Sequence, residues 1–168
     1  MKALALAVAL IVAGAAGAAV RAPLKLTLDG VAGARPGMTA AQVSERWGLE
    51  LRPTYEVRPD CGQAFLRRSG LEGYALFMPR DRFGALFLHR GAVTGKGIRI
   101  GSTLAELRSA YPRMSSRPDR YLHGSRNYFV RRVRPPNWEL RFDVSPAKRV
   151  TQIVFGNRKS VRLDEGCA

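Results

Sequence analysis

The chain of 168 residues is poor in the residue types that catalytic and metal sites need most: it has two histidines, two cysteines and 13 acidic residues. A zinc site takes three or four clustered ligands, which His89 and His123 do not supply without neighbouring carboxylates. The motifs G-x-S-x-G, H-E-x-x-H and the glycine-rich phosphate loops are also missing. We therefore predict a protein that is not an enzyme, with no catalytic residue, no metal and no cofactor.

Long apolar runs are absent beyond residue 19, so no later segment offers the roughly 20 apolar residues that a membrane-spanning helix needs. The first residues instead have the order of an export signal: Met1-Lys2 is basic, Ala3 to Val12 is apolar, and Ala13 to Ala19 is alanine and glycine. We predict a signal peptide over residues 1–19, cleaved after Ala18 or Ala19. A retained N-terminal anchor is the competing interpretation. The mature chain is expected to be secreted, extracellular or periplasmic.

Cysteine is scarce, and its two positions, Cys61 and Cys167, have no C-x-x-C spacing. Two cysteines in an exported chain favour one disulfide. In the chain-entropy model a bridge closing a loop of about 100 residues stabilises by roughly 4–5 kcal/mol. A reactive thiol is the alternative.

Acidic residues are too few to balance the 28 basic ones, most of them arginine, and the formal net charge is +15. Such a charge favours polyanions or acidic protein surfaces as partners. An arginine-rich but ordinary solvated surface explains it equally well.

The chain contains one internal match, between residues 33–48 and 97–112. The recurring residues are Gly33, Arg35, Gly37, Thr39 and Ala41, which return as Gly97, Arg99, Gly101, Thr103 and Ala105. Thr39 with Gln42, and Thr103 with Glu106, have the spacing of a helix capping box. Because internal repeats indicate architecture, we predict two α/β units, at 20–95 and 96–168.

Alternating apolar residues predict the strands. Two hairpins are expected, from Tyr74–Met78 with Phe83–Leu88 and from Trp138–Val144 with Val150–Phe155; single strands are expected at Leu24–Leu28, Gln63–Arg68, Tyr128–Val133 and Ser160–Leu163. Residues 113–126 are rich in Ser, Arg, Pro and Gly and predict a mobile loop. The predicted fold class is α+β: two tandem repeats, each a short capped helix packed on an antiparallel sheet of three to four strands.

These motifs resemble the tandem-repeat family that includes β-lactamase inhibitory protein, and the single repeat of small outer-membrane assembly lipoproteins. They also resemble secreted actinobacterial proteins with the same repeat and a cysteine near the C-terminus. The residues that carry the resemblance are Gly33, Pro36, Gly37, Met38, Thr39, Gln42 and Val43, echoed by Gly97, Gly101, Ser102, Thr103, Glu106 and Leu107. The resemblance implies BLIP-like repeats, a concave sheet that grips a protein, and a hairpin loop whose aspartate enters the partner.

The leading functional hypothesis is therefore non-catalytic binding of another envelope or extracellular protein. Asp81 occupies the expected hairpin turn, but Arg80 and Arg82 flank it and the family's adjacent tyrosine pair is missing. The proposed partner-binding residues are Tyr74, Phe77, Asp81, Trp138 and Arg141.

The alternative hypothesis is binding of a polyanion, such as a cell-wall polymer, an anionic lipid or a nucleic acid. Its candidate residues are Arg131, Arg132 and Arg134, which lie among aromatic residues between Tyr128 and Trp138. Guanidinium groups pair with phosphate and aromatic rings stack on bases. A face of solvated arginines over an apolar inner face is the simpler interpretation.

Overall fold

Strands dominate this computed structural model, which describes residues 23–68, 70–133 and 136–167. Within those ranges the strands are β1 (Leu24–Thr27), β2 (Gly30–Val31), β3 (Thr54–Arg58), β4 (Cys61–Arg68), β5 (Leu71–Met78), β6 (Arg82–Arg90), β7 (Ala92–Thr94), β8 (Ser115–Pro118), β9 (Arg126–Arg131), β10 (Trp138–Val144) and β11 (Val150–Asn157). The helices are α1 (Ala40–Trp47), α2 (Leu104–Ala110) and α3 (Arg158–Val161). The predicted signal peptide, residues 1–19, lies outside the described residues.

One antiparallel sheet of eight strands, in the order β3-β4-β5-β6-β11-β10-β9-β8, runs through both halves of the chain. The halves join where β6 pairs with β11, with Leu88 opposite Ile153 and Ala85 opposite Gly156. A Cβ atom at Gly156 would lie 2.3 Å from the carbonyl oxygen of Gly84. Glycine is therefore needed at this position for the two halves to meet so closely. A second, three-stranded sheet has the order β2-β1-β7.

The predicted α+β fold of two repeats is wrong. The structure is mostly β, and its large sheet is continuous across the predicted pair of units. Hydrophobic alternation predicts each hairpin from local sequence, but it carries no information about the β6–β11 pairing that merges the hairpins into one sheet. The domain boundary after residue 95 stays a prediction.

The two predicted capping boxes are confirmed. The Thr39 hydroxyl accepts from the Gln42 N–H at 3.3 Å, and the Gln42 side chain accepts from the Thr39 N–H at 2.9 Å. Thr103 and Glu106 make the same pair of bonds, at 3.1 and 2.6 Å. The structural match between the two halves is limited to these segments, because the chain continues into strand β7 after β6 but into a helix after β11.

Both faces of the large sheet are covered near its centre. On one face, which we call the helix face, Val43 and Trp47 of α1 and Leu107 of α2 are buried with the small sheet in the main core. On the other face, Val161 of α3 belongs to a smaller core. We call residues 158–167 the C-terminal strap and this second face the strap face.

Three local predictions differ from the structure. Residues 160–163 are expected as a strand, but the first two of them belong to α3. The Asn157 side chain caps this helix by accepting from the Ser160 N–H at 3.0 Å. Part of the expected loop at 113–126 is β8, which pairs with β9. The edge strand β3 was not predicted, although Tyr55 and Val57 alternate with polar residues along it; all five of its residues are exposed.

The predicted disulfide is confirmed. Cys61 at the start of β4 is bonded to Cys167 at the end of the strap, with a sequence separation of 106 and a Cα–Cα distance of 5.5 Å. The bond ties the first half of the sheet to the last part of the described chain, and both cysteines are buried. It therefore constrains a long loop in the unfolded state.

Replacing both cysteines, Cys61→Ser with Cys167→Ser, is expected to lower stability by roughly 4–5 kcal/mol, because the unfolded chain regains its loop entropy. For a domain of about 150 residues this corresponds to a fall in Tm of roughly 10–15 °C, measurable by calorimetry. Dithiothreitol should lower the Tm of the parent protein and leave that of the double variant unchanged. An identical Tm for both proteins would contradict the prediction.

Candidate functional site

The five predicted partner-binding residues do not form one surface. Tyr74 and Arg141 lie on the strap face, whereas Phe77 and Trp138 pack with the main core on the helix face. Phe77 is fully buried, so its assignment to a partner surface is wrong. Residues 74 and 77 are separated by an odd number of positions, which places them on opposite faces of one strand.

Asp81 lies in the β5–β6 turn and is already engaged within the chain. Its carboxylate accepts from the Tyr55 hydroxyl at 2.9 Å and from the Ala40 N–H at 3.4 Å. Burial and the hydrogen bond to Asp81 raise the pKa of Tyr55 to about 12. A partner that used Asp81 would have to compete with Tyr55.

A single row of side chains crosses the strap face, with one residue from each of seven adjacent strands. The row consists of Phe65, Tyr74, Phe87, Val154, Arg141, Phe129 and Ser115. Tyr74 and Phe87 are stacked with ring centroids 4.7 Å apart, and Phe65 meets Tyr74 edge-on at 6.3 Å. Cross-strand aromatic pairs of this kind stabilise a sheet.

The C-terminal strap covers the centre of this row. The Arg141 guanidinium donates to the carbonyl of Val161 at 2.8 Å, and a Cβ at Gly166 would lie 3.4 Å from the Tyr74 ring. At its end the strap is held by the disulfide to Cys61. The strap face is thus partly occupied by the protein's own chain.

Arg141 is the buried centre of a charge network, since its side chain is only 2% exposed. Its guanidinium donates to Asp164 of the strap at 3.0 Å, to Asp143 at 3.1 Å and to the Gln152 side chain at 3.1 Å. Alternation along β10 places Arg141 between Glu139 and Asp143 on one face. It does not indicate that this polar face is buried.

Asn127 extends the network, donating to Asp143 at 2.8 Å and to Asp119 at 2.9 Å. Burial raises the pKa of Asp143 above its ordinary value, although Arg141 opposes the shift. Burial acts in the same direction on Asp119, but hydrogen bonds from the backbone N–H groups of Leu122 and Tyr121 outweigh it and hold the pKa of Asp119 below its ordinary value.

The predicted polyanion-binding arginines are paired where they are described. Arg131 lies 2.9 Å from Glu139, a buried carboxylate that Arg162 of the strap also contacts at 3.2 Å. Arg132 lies 3.0 Å from Asp29. Arg134 falls outside the described residues. The described part of the chain therefore shows no cluster of free arginines at these positions.

The end of the row on β4 and β5 stays partly accessible beside the strap, and we call Phe65 and Tyr74, together with His89 of β6, the open aromatic surface. Phe65 is 58% exposed, Tyr74 is half-buried, and the exposed His89 ring lies 6.4 Å from that of Tyr74. Burial raises the pKa of Tyr74 to about 12, so its hydroxyl stays protonated at neutral pH. Phe65 was not among the predicted site residues, although alternation from Cys61 along β4 places it on the strap face.

No group of three or more His, Cys, Asp or Glu side chains in the described ranges is arranged to hold a metal ion. His89 lies 3.1 Å from the side-chain nitrogen of Gln152, and His123 lies in the exposed turn before β9. Among the helices that the structure describes, none is long and apolar enough to cross a membrane.

No family model matches the chain, and no curated protein matches it. Among solved structures, the chain is similar to a cysteine-rich secretory protein from Staphylococcus aureus subsp. aureus Mu50, with a TM-score of 0.47 and 11% sequence identity. The match covers 73% of this chain and 43% of that one, so the chain spans less than half the length of that protein. A likeness at this level assigns neither family nor function.

Removing the buried guanidinium of Arg141 should lower the free energy of unfolding. Arg141→Met leaves the buried Asp143 without its cation and leaves Asp164 with Arg117 alone, and breaking such a buried pair costs about 3–5 kcal/mol. The control is Arg52→Gln, whose ion pair with Glu50 is exposed and should contribute less than about 1 kcal/mol. Urea unfolding gives both free energies. Equal costs for the two variants would show that the network does not stabilise the fold.

The two carboxylates bonded to Asn127 should respond to acid in opposite directions. The pKa of Asp119 is lowered on folding, so this residue stabilises the fold at pH values above 3.8, the pKa of an aspartate in the unfolded chain. This stabilisation is lost as the pH falls through the pKa of Asp119 in the folded protein. The pKa of Asp143 is raised on folding, so this residue stabilises the fold most at pH values below 3.8. That stabilisation is lost as the pH rises through the pKa of Asp143 in the folded protein. On acidification, the stability of the parent protein should therefore fall relative to Asp119→Asn and rise relative to Asp143→Asn. Urea unfolding at stepped pH measures both differences, and parallel curves would refute the assignment.

Proposed function

We propose that this chain is an exported, non-catalytic module that binds another protein of the bacterial envelope or extracellular space. The observation that carries the proposal is the open aromatic surface, where the row ends at the exposed ring of Phe65 on β4. Aromatic side chains are enriched in protein interfaces because they bury much area at low entropic cost. The partner we expect offers an apolar surface of its own.

Two further features support the extracellular part of the proposal. The disulfide between Cys61 and Cys167 is typical of proteins that fold in oxidising compartments. The order of residues in 1–19 is that of a signal peptide, which we propose is cleaved after Ala18 or Ala19. The motif resemblance to a family that includes a secreted inhibitor is consistent with protein binding.

Polyanion binding is the alternative, and the structure favours it less. Arg131 and Arg132 each have an acidic partner within the chain, and Glu139, which pairs with Arg131, is buried. A polymer would have to displace the buried Glu139 from Arg131, which is more costly than displacing the exposed Asp29 from Arg132. The net charge of +15 nevertheless predicts weak, salt-sensitive attraction to any polyanion.

The open aromatic surface can be tested with a matched pair of substitutions. Phe65→Ser should abolish most retention of a discrete protein from host envelope and culture extracts, because aromatic anchors at an interface contribute about 2 kcal/mol or more. Tyr121→Ser removes an aromatic side chain of similar exposure from the β8–β9 turn and should leave retention unchanged. The bait is the oxidised chain 20–168, and bound proteins are quantified by mass spectrometry at low and high salt.

Three outcomes would count against the proposal. These are no discrete protein at high salt, equal loss in both variants, and bound material that is anionic polymer released by salt. The last of these would support the polyanion alternative instead.

A further inference from the structure

A second concave site lies on the helix face, away from the open aromatic surface. It is a cleft of about 580 Å³ between the turn that follows β2 and the start of β10. Trp138, Met38 and Pro36 supply apolar surface to its lining, and Arg35 and Arg132 supply the two cations. A volume of this size is within the range of ligand-binding clefts.

The aromatic wall of the cleft is held in place. Trp138 packs edge-on against Phe155 at a centroid distance of 6.0 Å, and its backbone N–H donates to the Pro136 carbonyl at 2.9 Å. The Arg132 backbone N–H donates to the Trp138 carbonyl at 3.1 Å. The Arg132 guanidinium lies over the indole, 5.5 Å from the ring centroid. Indole and guanidinium thus present an apolar surface and a positive charge side by side.

The positive charges of Arg35 and Arg132 are only partly balanced by acidic residues. Arg132 pairs with Asp29 at 3.0 Å, but the Asp29 side chain is 69% exposed, and such pairs contribute little. The Arg35 guanidinium makes no ion pair or hydrogen bond with any described residue and is exposed. An incoming carboxylate can therefore take the place of Asp29 on Arg132, and a second carboxylate can pair with Arg35.

We propose that this cleft binds an extended acidic peptide segment of a partner protein. An apolar side chain of the segment enters between Trp138, Met38 and Pro36. A neighbouring carboxylate replaces Asp29 on Arg132 and a second one faces Arg35. The proposal does not depend on the open aromatic surface. A polyphosphate or sugar polymer fits less well, because the walls are apolar and only two cations line the cleft.

The probe is an acetylated and amidated hexapeptide of alternating aspartate and leucine, titrated by calorimetry and by tryptophan fluorescence. We expect saturable binding that Arg132→Gln and Arg35→Gln each weaken about three- to tenfold. Arg99 is also exposed and lies at the corresponding place in the second matching segment, so Arg99→Gln should bind like the parent protein. Replacing the leucines of the peptide with serine should weaken binding at least about tenfold, since the apolar contact is lost.

Asp29 provides a test of opposite sign. Asp29→Asn removes the internal competitor for Arg132 and should tighten binding about two- to fivefold. Glu56→Gln changes the net charge equally, at an exposed position on β3, and should have no such effect. Phe65→Ser should also leave peptide affinity unchanged, which separates this site from the proposed function.

Several results would overturn the proposal. These are no binding at millimolar peptide, affinities that follow net charge regardless of which residue is changed, and equal affinity for the serine peptide. Inorganic polyphosphate that binds more tightly than the peptide and depends on Arg35 and Arg132 would assign the cleft to polyanions instead.

Discussion

The buried guanidinium of Arg141 is the constraint on which the strap face depends. A cation removed from water must be matched by nearby carboxylates and carbonyls, or the fold becomes unstable. One carboxylate, Asp143, comes from the same strand, whereas the other, Asp164, and the carbonyl of Val161 come from the strap. The strap therefore has to cross the sheet at this point. By doing so it covers the smaller core formed by Leu76, Phe87, Val154 and their neighbours.

This arrangement decides where the molecule can meet a partner. The strap covers the centre of the row and leaves the end on β4 and β5 accessible. The disulfide keeps the strap in this position. On the helix face, the short helices and the small sheet leave a cleft beside Trp138. The two accessible surfaces differ in chemistry, because one is aromatic and the other combines an indole with arginines.

Features determined by neighbouring residues could be predicted from the sequence, and features determined by distant residues could not. The capping boxes at Thr39 and Thr103 depend on side chains three positions apart, and both hairpins follow from apolar alternation. The Cys61–Cys167 bond was predictable because the chain offers a single pairing. The β6–β11 joint, the burial of Arg141 and the path of the strap depend on contacts between remote segments. The fold class was therefore misassigned. The errors at Phe77 and Phe65 have a different origin, because local alternation along β5 and β4 already places Phe77 opposite Tyr74 and Phe65 on the strap face.

The disulfide also sets an order of events during synthesis. Cys61 belongs to a strand that leaves the ribosome 106 residues before Cys167, an interval on the order of ten seconds at ordinary translation rates. Throughout that interval the hairpins of the first half can form, but the Cys61 thiol has no partner within the chain and the strap face is uncovered. Closing this bond consequently has to wait until residue 167 has been made, after every strand from β8 to β11.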